Sequence, residues 1–342
     1  MRLPDFVQTD VDLSAHTTLA LPGRAAHYAE ITSAEQLAAL PVSLIQRCFV
    51  IGHGSNLVLG GDFDGLILHM AIPGRDQVSE DADAWYVRAG AGENWHDFVQ
   101  WTLAQGRPGL ENLSLIPGTV GAAPVQNIGA YGLEAGEYFY SLTAFDRQRG
   151  EARIFTHADC RFAYRDSVFK QQGWHLDGRV VITDVTFRLP KTWTPLTGYA
   201  DVGAELAAQG TGTPDAHQIA DAVSAIRQRK LPDPARIPNA GSFFHNPVVD
   251  QLIADRLTLA HPGLPRYPQA DGRIKLAAGW LIEQAGWKGR YLGRVGMYEK
   301  QALVLVNRGG ATSADVAALM QSIQRDVREK YGVELTPEPI FL

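Results

Sequence analysis

The stretch from residue 109 to residue 132 constrains the fold of this chain more than any other segment. It reads GLENLSLIPGTVGAAPVQNIGAYG, and small residues recur through it without the period of a helix or a strand. A loop with only a structural role seldom needs so many small residues over such a length. Because larger side chains there would block a flat or phosphorylated ligand, this stretch, called the glycine run below, predicts a cofactor cradle.

The rest of the chain has the composition of an ordinary globular protein large enough for two or three domains. Its 342 residues are 45% hydrophobic and 20% charged, which excludes an intrinsically disordered chain. Its formal net charge is −6. That charge gives no general attraction for nucleic acid or for an anionic membrane, so a phosphate-bearing ligand must be held by a local site.

Targeting, disulfide and metal signals are all missing from the sequence. No segment approaches the roughly 18 apolar residues of a membrane span, and the N-terminus leads into no apolar signal segment, so we expect a soluble, cytoplasmic protein. Cys48 and Cys160 lack CxxC spacing and are expected to be packed thiols. The ten histidines show no metal-binding spacing, and no metal site is predicted.

Hydrophobic periodicity predicts a mixed α+β fold. Apolar and polar residues alternate over 181–189, as in a strand, and Asn94 begins a helix that Gly106 ends. The other predicted elements are strands at 48–51, 66–68, 85–87 and 303–306, and helices at 219–230, at 276–284 and from the cap Ser313 to Gly332.

The loop at residues 52–56, Gly-His-Gly-Ser-Asn, follows a predicted strand directly. Taken alone, it is more typical of a tight connection between strands than of an anion-binding turn. It does not complete a GxGxxG pattern, and the chain has no GxxxxGK[ST] sequence. A Rossmann fingerprint and a P-loop nucleotidase are therefore excluded.

Three further motifs have a structural interpretation beside a functional one. Arg165 lies among aromatic residues, where an ion pair and a carboxylate clamp fit the sequence equally well. Arg227 and Lys230 share one helix face; cations are favoured at a helix C-terminus, and a diphosphate site would use the same pair. Ser242 lies between Ala-Gly and two phenylalanines, which in isolation favours a turn hydroxyl.

Together these segments resemble the UDP-N-acetylenolpyruvoylglucosamine reductase (MurB) family of bacterial peptidoglycan synthesis. The resemblance is carried, in order, by the glycine run and by YRDS, KLPDP, NAGSFFxNP and PQADGxxKLAAGWLI. It implies two FAD-binding subdomains of the vanillyl-alcohol-oxidase (PCMH) type, at 1–70 and 71–212. It also implies an α/β substrate-binding domain at 213–332 and a C-terminal tail, 333–342, that returns to the flavin cleft.

The family chemistry is an NADPH-dependent reduction of UDP-N-acetylglucosamine enolpyruvate to UDP-N-acetylmuramate, carried by FAD and serving cell-wall synthesis, cell shape and cell division. By resemblance, Arg165 polarises the substrate carboxylate, Glu338 lies on the same group, and Ser242 protonates the neighbouring carbon. Two bare carboxylates would repel each other, so Glu338 is expected to act through its acid form.

The resemblance also assigns binding residues. Those for FAD are Gly52, Gly54, Ser55, Asn56, Ile116, Pro117, Gly118, Gly121, Ala122, Ala123, Asn127, Ile128, Gly129 and Arg227. Those for the nucleotide sugar are Tyr131, Lys230, Asn246, Tyr267, Lys288, Gln301 and Tyr199, the last on a loop that marks one family subtype. Relatives carry an arginine where this chain has Ile340. The resemblance therefore does not fix the flavin redox potential or the binding of NADPH, since both depend on a cation beside the flavin.

Two other functions stay open at this point. A flavin oxidase on the same fold would pass electrons to oxygen and would not need a serine donor. A catalytically silent FAD or nucleotide-sugar binding protein would keep the glycine loops and lose the acid and the clamp. Ser242 and Lys230, which lie in family-matched context, favour the reductase over the oxidase. The presence of Arg165, Ser242 and Glu338 favours it over the silent binding protein. By resemblance the protein is expected to be a monomer.

Overall fold

The computed structural model describes residues 3–210 and 212–342, which form two compact units. Unit 1 consists of residues 3–11, Ala25–His53 and Asp64–Arg229. Unit 2 consists of Asp12–Arg24, Gly54–Phe63 and Lys230–Leu342. Each unit is therefore assembled from segments that are distant in sequence.

Helices and strands both occur in each unit, as the α+β prediction expects. The α-helices are α1 (Ala34–Ala39), α2 (Trp95–Ala104), α3 (His157–Cys160), α4 (Val168–Gln171), α5 (Trp174–Asp177), α6 (Ala200–Ala208), α7 (Ala216–Lys230), α8 (Gln251–Ala260), α9 (Ala278–Gln284) and α10 (Ser313–Tyr331). The strands are β1 (Val7–Asp12), β2 (Arg24–Ile31), β3 (Cys48–Ile51), β4 (Leu57–Val58), β5 (Phe63–Met70), β6 (Arg75–Glu80), β7 (Ala84–Gly90), β8 (Gly129–Ala130), β9 (Leu133–Glu134), β10 (Phe139–Asp146), β11 (Glu151–Thr156), β12 (Val180–Pro190), β13 (Asn239–Ser242), β14 (Val248–Val249), β15 (Arg266–Pro268), β16 (Ile274–Leu276), β17 (Tyr291–Leu292), β18 (Val295–Met297), β19 (Val304–Asn307) and β20 (Ile340–Phe341).

Unit 1 contains a five-stranded antiparallel sheet in the order β11-β10-β12-β7-β6. Its central strand β12 alternates apolar and polar residues, yet nearly the whole strand is buried. One face is covered by α2, whose Trp95 and Phe98 rings lie 5.7 and 5.5 Å from the Phe187 ring. Thr183 is buried as well, and its hydroxyl donates to the Thr143 carbonyl (3.1 Å), so burial leaves no polar group of this side chain unpaired.

Both ends of α2 follow from single residues, as predicted. The Asn94 side chain accepts a hydrogen bond from the Asp97 N–H (3.0 Å), which satisfies one of the unpaired donors of the first turn. Gly106 has a φ of +68°, a conformation in which glycine commonly ends a helix. The predicted bounds of this helix are therefore confirmed.

A second sheet of unit 1 has the order β1-β2-β5-β3, and β3 runs parallel to β5 with Cys48 paired to Leu66. Both predicted strands, 48–51 and 66–68, lie in it. Cys48 and Cys160 are free and buried, as expected. Helices α6 and α7 pack through a small apolar cluster of Val202, Leu206, Ile219, Ala222, Val223 and Ile226.

Unit 2 contains a four-stranded sheet, β13-β19-β18-β17, and a three-stranded sheet, β14-β16-β15. The helix predicted from residue 276 begins only at Ala278, because Leu276 pairs with Arg266 in the smaller sheet. The prediction that Ser313 caps α10 is wrong: the cap is Thr312, whose hydroxyl accepts from the Asp315 N–H (3.3 Å). In the C-terminal tail, β20 runs parallel to β4.

Over 3–210 and 212–342, no helix has the length and apolar character needed to cross a bilayer. In the same part of the chain, no three His, Cys, Asp or Glu side chains are grouped as metal ligands.

Candidate functional site

The glycine run lies in unit 1 as an irregular loop interrupted by single helical turns at Glu111–Leu113 and Val120–Ala122. Three of its non-glycine residues have left-handed backbones: Leu115 (φ +60°), Asn127 (φ +45°) and Tyr131 (φ +49°). Such conformations cost on the order of 1–3 kcal/mol each and persist only where surrounding contacts hold them. The run is therefore a fixed loop, as a preorganised binding site requires.

Two predicted cofactor glycines are small because protein atoms approach them closely. A Cβ atom on Gly52 would lie 2.6 Å from the Thr119 hydroxyl, and one on Gly121 would lie 2.5 Å from the Ala91 Cβ. Both distances are below any ordinary carbon contact. These glycines allow the segments that directly follow β3 and β7 to lie close to the run, which is a packing reason for their size.

The run contains backbone donors that could receive an anionic group. Within the described residues, the N–H groups of Ile116, Gly118 and Thr119 donate no hydrogen bond, although Gly118 and Thr119 are buried residues. The hydroxyl oxygen of Ser114 is buried and likewise has no partner there. Buried donors in native proteins are nearly always paired, so these groups fit a ligand with strong acceptors, such as a diphosphate.

Arg165 is held against the glycine run. Its guanidinium donates to the carbonyls of Asn127 (3.2 Å) and Gly129 (2.7 Å), and its own φ is +54°. Asn127 is buried, and its side chain accepts from the Gly136 N–H (2.9 Å). Ser167, two residues after the arginine, donates to the Val125 carbonyl (2.6 Å). The YRDS motif is thus tied to the run at several points, and Arg165 has a fixed orientation.

Arg227, Tyr131 and Tyr199 form a second group of contacts at the run. The Arg227 Nε donates to the Leu115 carbonyl (3.2 Å), and its side chain is hydrogen-bonded to that of Tyr131. Burial raises the pKa of the Tyr131 hydroxyl, and Arg227 opposes the shift. The Tyr131 and Tyr199 rings meet edge to face at 5.3 Å. Asn112 donates to the Tyr131 carbonyl (3.1 Å), a contact that fixes this tyrosine.

In unit 2, the C-terminal tail runs beside the segment that carries Ser242. The Glu338 N–H donates to the Phe243 carbonyl (2.9 Å), one residue from Ser242, and the His245 N–H donates to the Thr336 carbonyl (2.9 Å). Gly241, with φ +61°, turns the backbone just before the exposed Ser242. These bonds bring two predicted catalytic residues, Ser242 and Glu338, to adjacent positions on paired segments.

The Glu338 carboxyl is largely buried, with 13% of its side chain exposed, and lies 3.7 Å from the His245 Nδ1. Asn56, predicted as a cofactor residue, donates through its side chain to the Glu338 carbonyl (3.3 Å) and accepts from the Ile340 N–H (3.0 Å). In unit 2, Asn56 thus fixes the backbone of the tail. The preceding Gly54 is left-handed, with φ +60°, and its carbonyl accepts from the Thr18 N–H (3.2 Å).

Three predicted substrate residues surround α9. The Asn246 side chain accepts from the Ala278 N–H (2.9 Å) at the start of the helix. Lys288 forms an ion pair with Glu283 (2.9 Å), and Gln301 accepts from the Leu303 N–H (3.3 Å) beside Gly279. Two further predicted substrate residues lie elsewhere in the chain. Tyr267 is on β15 with 42% of its surface exposed, and Lys230 is the half-buried last residue of α7.

Several residues that shape these sites were not predicted from the sequence. Glu111 is buried and accepts from the Gly109 N–H and from the Trp193 indole, both at 2.7 Å, and burial raises its pKa. The signal in the sequence was a lone acidic residue inside an apolar, glycine-rich stretch. His96 and His245 have no such signal. His96 lies in a segment already predicted as a helix, and His245 lies in the NAGSFFxNP motif, where Ser242 and Asn246 were the predicted site residues.

Two domain profiles match the chain. Residues 25–155 match the profile described as "FAD binding domain", and residues 233–342 match "UDP-N-acetylenolpyruvoylglucosamine reductase, C-terminal domain". The predicted α+β FAD-binding fold and the family resemblance are confirmed by these matches.

Relatives are similar over nearly the whole chain. The UDP-N-acetylenolpyruvoylglucosamine reductase of Dechloromonas aromatica is 66% identical, with 98% of this chain and 99% of the relative covered. That of Azoarcus sp. strain BH72 is 59% identical, with 99% of each covered. A solved structure of the same name from Thermus caldophilus has a TM-score of 0.66 and 23% identity, with 100% of this chain and 99% of that chain covered; it supports the fold.

Proposed function

This chain belongs to the UDP-N-acetylenolpyruvoylglucosamine reductase family, and we propose that it reduces UDP-N-acetylglucosamine enolpyruvate to UDP-N-acetylmuramate at the expense of NADPH. When bound, FAD supplies the hydride-transfer chemistry that links NADPH to the nucleotide sugar. The product serves peptidoglycan synthesis. The unpaired backbone donors at residues 116–119 support a diphosphate-bearing cofactor in the glycine run.

One observation carries this proposal beyond family membership. The hydrogen bond from the Glu338 N–H to the Phe243 carbonyl (2.9 Å) places an acidic side chain and the Ser242 hydroxyl on neighbouring backbone positions. A simple FAD-binding protein would not need a buried carboxyl on a tail fastened beside an exposed serine. An enzyme that must both hold a carboxylate and deliver a proton would use this arrangement.

The substrate's double bond gains a hydride at its terminal carbon and a proton at the carbon beside the carboxylate. Ser242 donates that proton, and because a serine hydroxyl is a weak acid, the transfer is coupled to negative charge arriving on the carbon. Arg165, held by the Asn127 and Gly129 carbonyls, stabilises the charge that spreads onto the carboxylate. Glu338 in its acid form donates a hydrogen bond to the same group without adding charge.

The binding roles assigned by the resemblance are part of the proposal. FAD is held by the run, by the loop at 52–56 and by Arg227; the nucleotide sugar is held by Tyr131, Tyr199 and the residues at α9, with Lys230 and Tyr267. The proposed domains are 1–70, 71–212 and 213–332, followed by the tail. We also propose that the enzyme is a cytoplasmic monomer that requires no nucleic acid or membrane.

A turnover experiment tests the proposal. Purified protein is incubated with NADPH and the enolpyruvyl nucleotide sugar without oxygen, and products are identified by mass spectrometry. We expect a product with two added hydrogen atoms, formed in one-to-one proportion with NADP⁺. NADPH consumption that depends on oxygen and leaves the sugar unchanged would indicate an oxidase. Binding of FAD without consumption of NADPH would indicate a silent binding protein.

A further inference from the structure

Leu115, within the glycine run, has a backbone conformation that two side chains hold through its two peptide groups. Its φ of +60° is unfavourable for leucine. Its N–H donates to the His96 Nδ1 (3.0 Å), and its carbonyl accepts from the Arg227 Nε (3.2 Å). Arg227 has a proposed role at the flavin, whereas His96, on α2, has none in the function proposed above.

The residue held in this way is followed at once by the backbone donors of the run. Ile116, Gly118 and Thr119 present N–H groups that are unpaired within 3–210 and 212–342. The direction of these groups depends on the peptide geometry at Leu115, because a change of φ there rotates the chain that follows. Releasing Leu115 therefore disturbs several donors together.

We infer that His96 is a positioning residue of the FAD cradle, holding the left-handed backbone of Leu115 through its Nδ1 and so fixing the donors at 116–119. The inference rests on the proposed function, because it takes the glycine run to be the FAD site. His96 acts through the Leu115 peptide group and need not contact the cofactor.

The contact requires a neutral imidazole with an unprotonated Nδ1, because a protonated nitrogen would point a second donor at the Leu115 N–H. Burial lowers the pKa of His96. Of the charged groups that face it, Asp97 on the same helix raises the pKa, and Arg227 from α7 lowers it. Burial therefore favours the neutral form of His96, whose Nδ1 can accept a hydrogen bond.

FAD release from the purified holoprotein tests this inference without a turnover assay. The rate is read from the recovery of flavin fluorescence after dilution, for the wild type, His96→Phe and His96→Asn. Phenylalanine removes the acceptor and leaves a half-buried N–H unpaired, so we expect release about 5- to 100-fold faster. Asparagine places its Oδ1 where Nδ1 was and should restore most of the retention.

A matched control is His175→Phe, which removes another half-buried histidine whose Nδ1 contacts a backbone carbonyl, that of Phe169 (3.2 Å). This variant should release FAD at the wild-type rate. The pH profile is a second readout. Because burial lowers the pKa of His96, wild-type release should accelerate only at a pH below the ordinary histidine range, and His96→Asn should lack that component. Burial also lowers the pKa of His53, so the difference between the two profiles is the quantity that counts.

Release at the wild-type rate from His96→Phe would overturn the inference, as would His96→Asn releasing FAD as fast as His96→Phe. If His96→Phe does not fold, the pH profiles of the wild type and His96→Asn decide, and identical profiles overturn the inference. A wild-type protein that binds no FAD would overturn the proposed function as well, so the two failures are distinguishable.

Discussion

Replacing Gly52 by alanine tests whether the loop after β3 packs against the glycine run only when position 52 has no Cβ atom. The new Cβ would lie 2.6 Å from the Thr119 Oγ1 and 3.0 Å from its Cγ2, so one of the two segments must move. Gly52 is not left-handed, so alanine fits its backbone and the effect is steric. Overpacking of this kind costs about 1–3 kcal/mol, or roughly 2–12 °C in Tm for a unit of this size.

The compensating change is Thr119→Ala, which removes both clashing atoms and leaves the threonine Cβ at 3.3 Å. Alone it should cost about 1 kcal/mol for the small cavity. In the double variant it should recover most of the Gly52→Ala loss, a coupling of about 1–2 kcal/mol. Urea unfolding of the wild type, the two single variants and the double variant gives the double-mutant cycle of unfolding free energies. The flavin-to-protein absorbance ratio of each protein reports whether FAD binding is restored together with stability.

A matched control is Gly203→Ala in α6, where the nearest backbone atom to the new Cβ is 3.4 Å away. Alanine in a helix interior should stabilise by about 0.5–1 kcal/mol there. If the losses from Gly52→Ala and Thr119→Ala simply add in the double variant, the close contact with Thr119 is not the reason for glycine at position 52, and the steric argument fails.

Three further changes probe the chemistry and one buried carboxyl. Ser242→Ala should leave reduction of the flavin by NADPH intact and slow the second half-reaction by a factor on the order of 10² or more; equal slowing of both halves in stopped-flow measurements would exclude it as the proton donor. Arg165→Lys keeps the charge but loses the fork that holds two carbonyls, so kcat/KM should fall by about 10² or more, and near-normal turnover would contradict the clamp. Burial raises the pKa of Glu111 above its ordinary value of about 4.5. Between that value and the raised pKa, the native state binds more protons than the unfolded state, so the free energy of unfolding falls as pH rises across this interval. Glu111→Gln should lack this component in urea unfolding at stepped pH, and parallel profiles for the two proteins would refute it.

Local structure was predictable wherever a single residue decides it. Asn94 and Gly106 bound α2 because a side-chain acceptor and a left-handed glycine act within one turn. The same reasoning failed at α10, where Thr312 and Ser313 are adjacent candidates and only the Asp315 contact selects the first. It also failed at Leu276, because an apolar residue fits a strand and a helix equally well. Only the pairing of Leu276 with β15 places it in a strand.

The candidate site was predictable in its residues and not in its contacts. The glycine run indicated a cradle, yet Gly52 and Gly121 prove small because of Thr119 and Ala91, which the sequence does not mark as neighbours. The meeting of Glu338 with Phe243 depends on tertiary pairing of a tail that carries no local signal. His96 is missed for a related reason: it lies on a helix face, and only the folded loop brings Leu115 to it.

Hydride transfer from NADPH to an enolpyruvyl nucleotide sugar is the reaction proposed for this chain. Anaerobic absorbance spectroscopy tests it most directly: NADPH is added to the purified holoprotein, and UDP-N-acetylglucosamine enolpyruvate is added after the flavin has bleached. We expect the oxidised flavin spectrum to return on addition of the sugar while oxygen is still excluded. A flavin that stays bleached until air is admitted would contradict it.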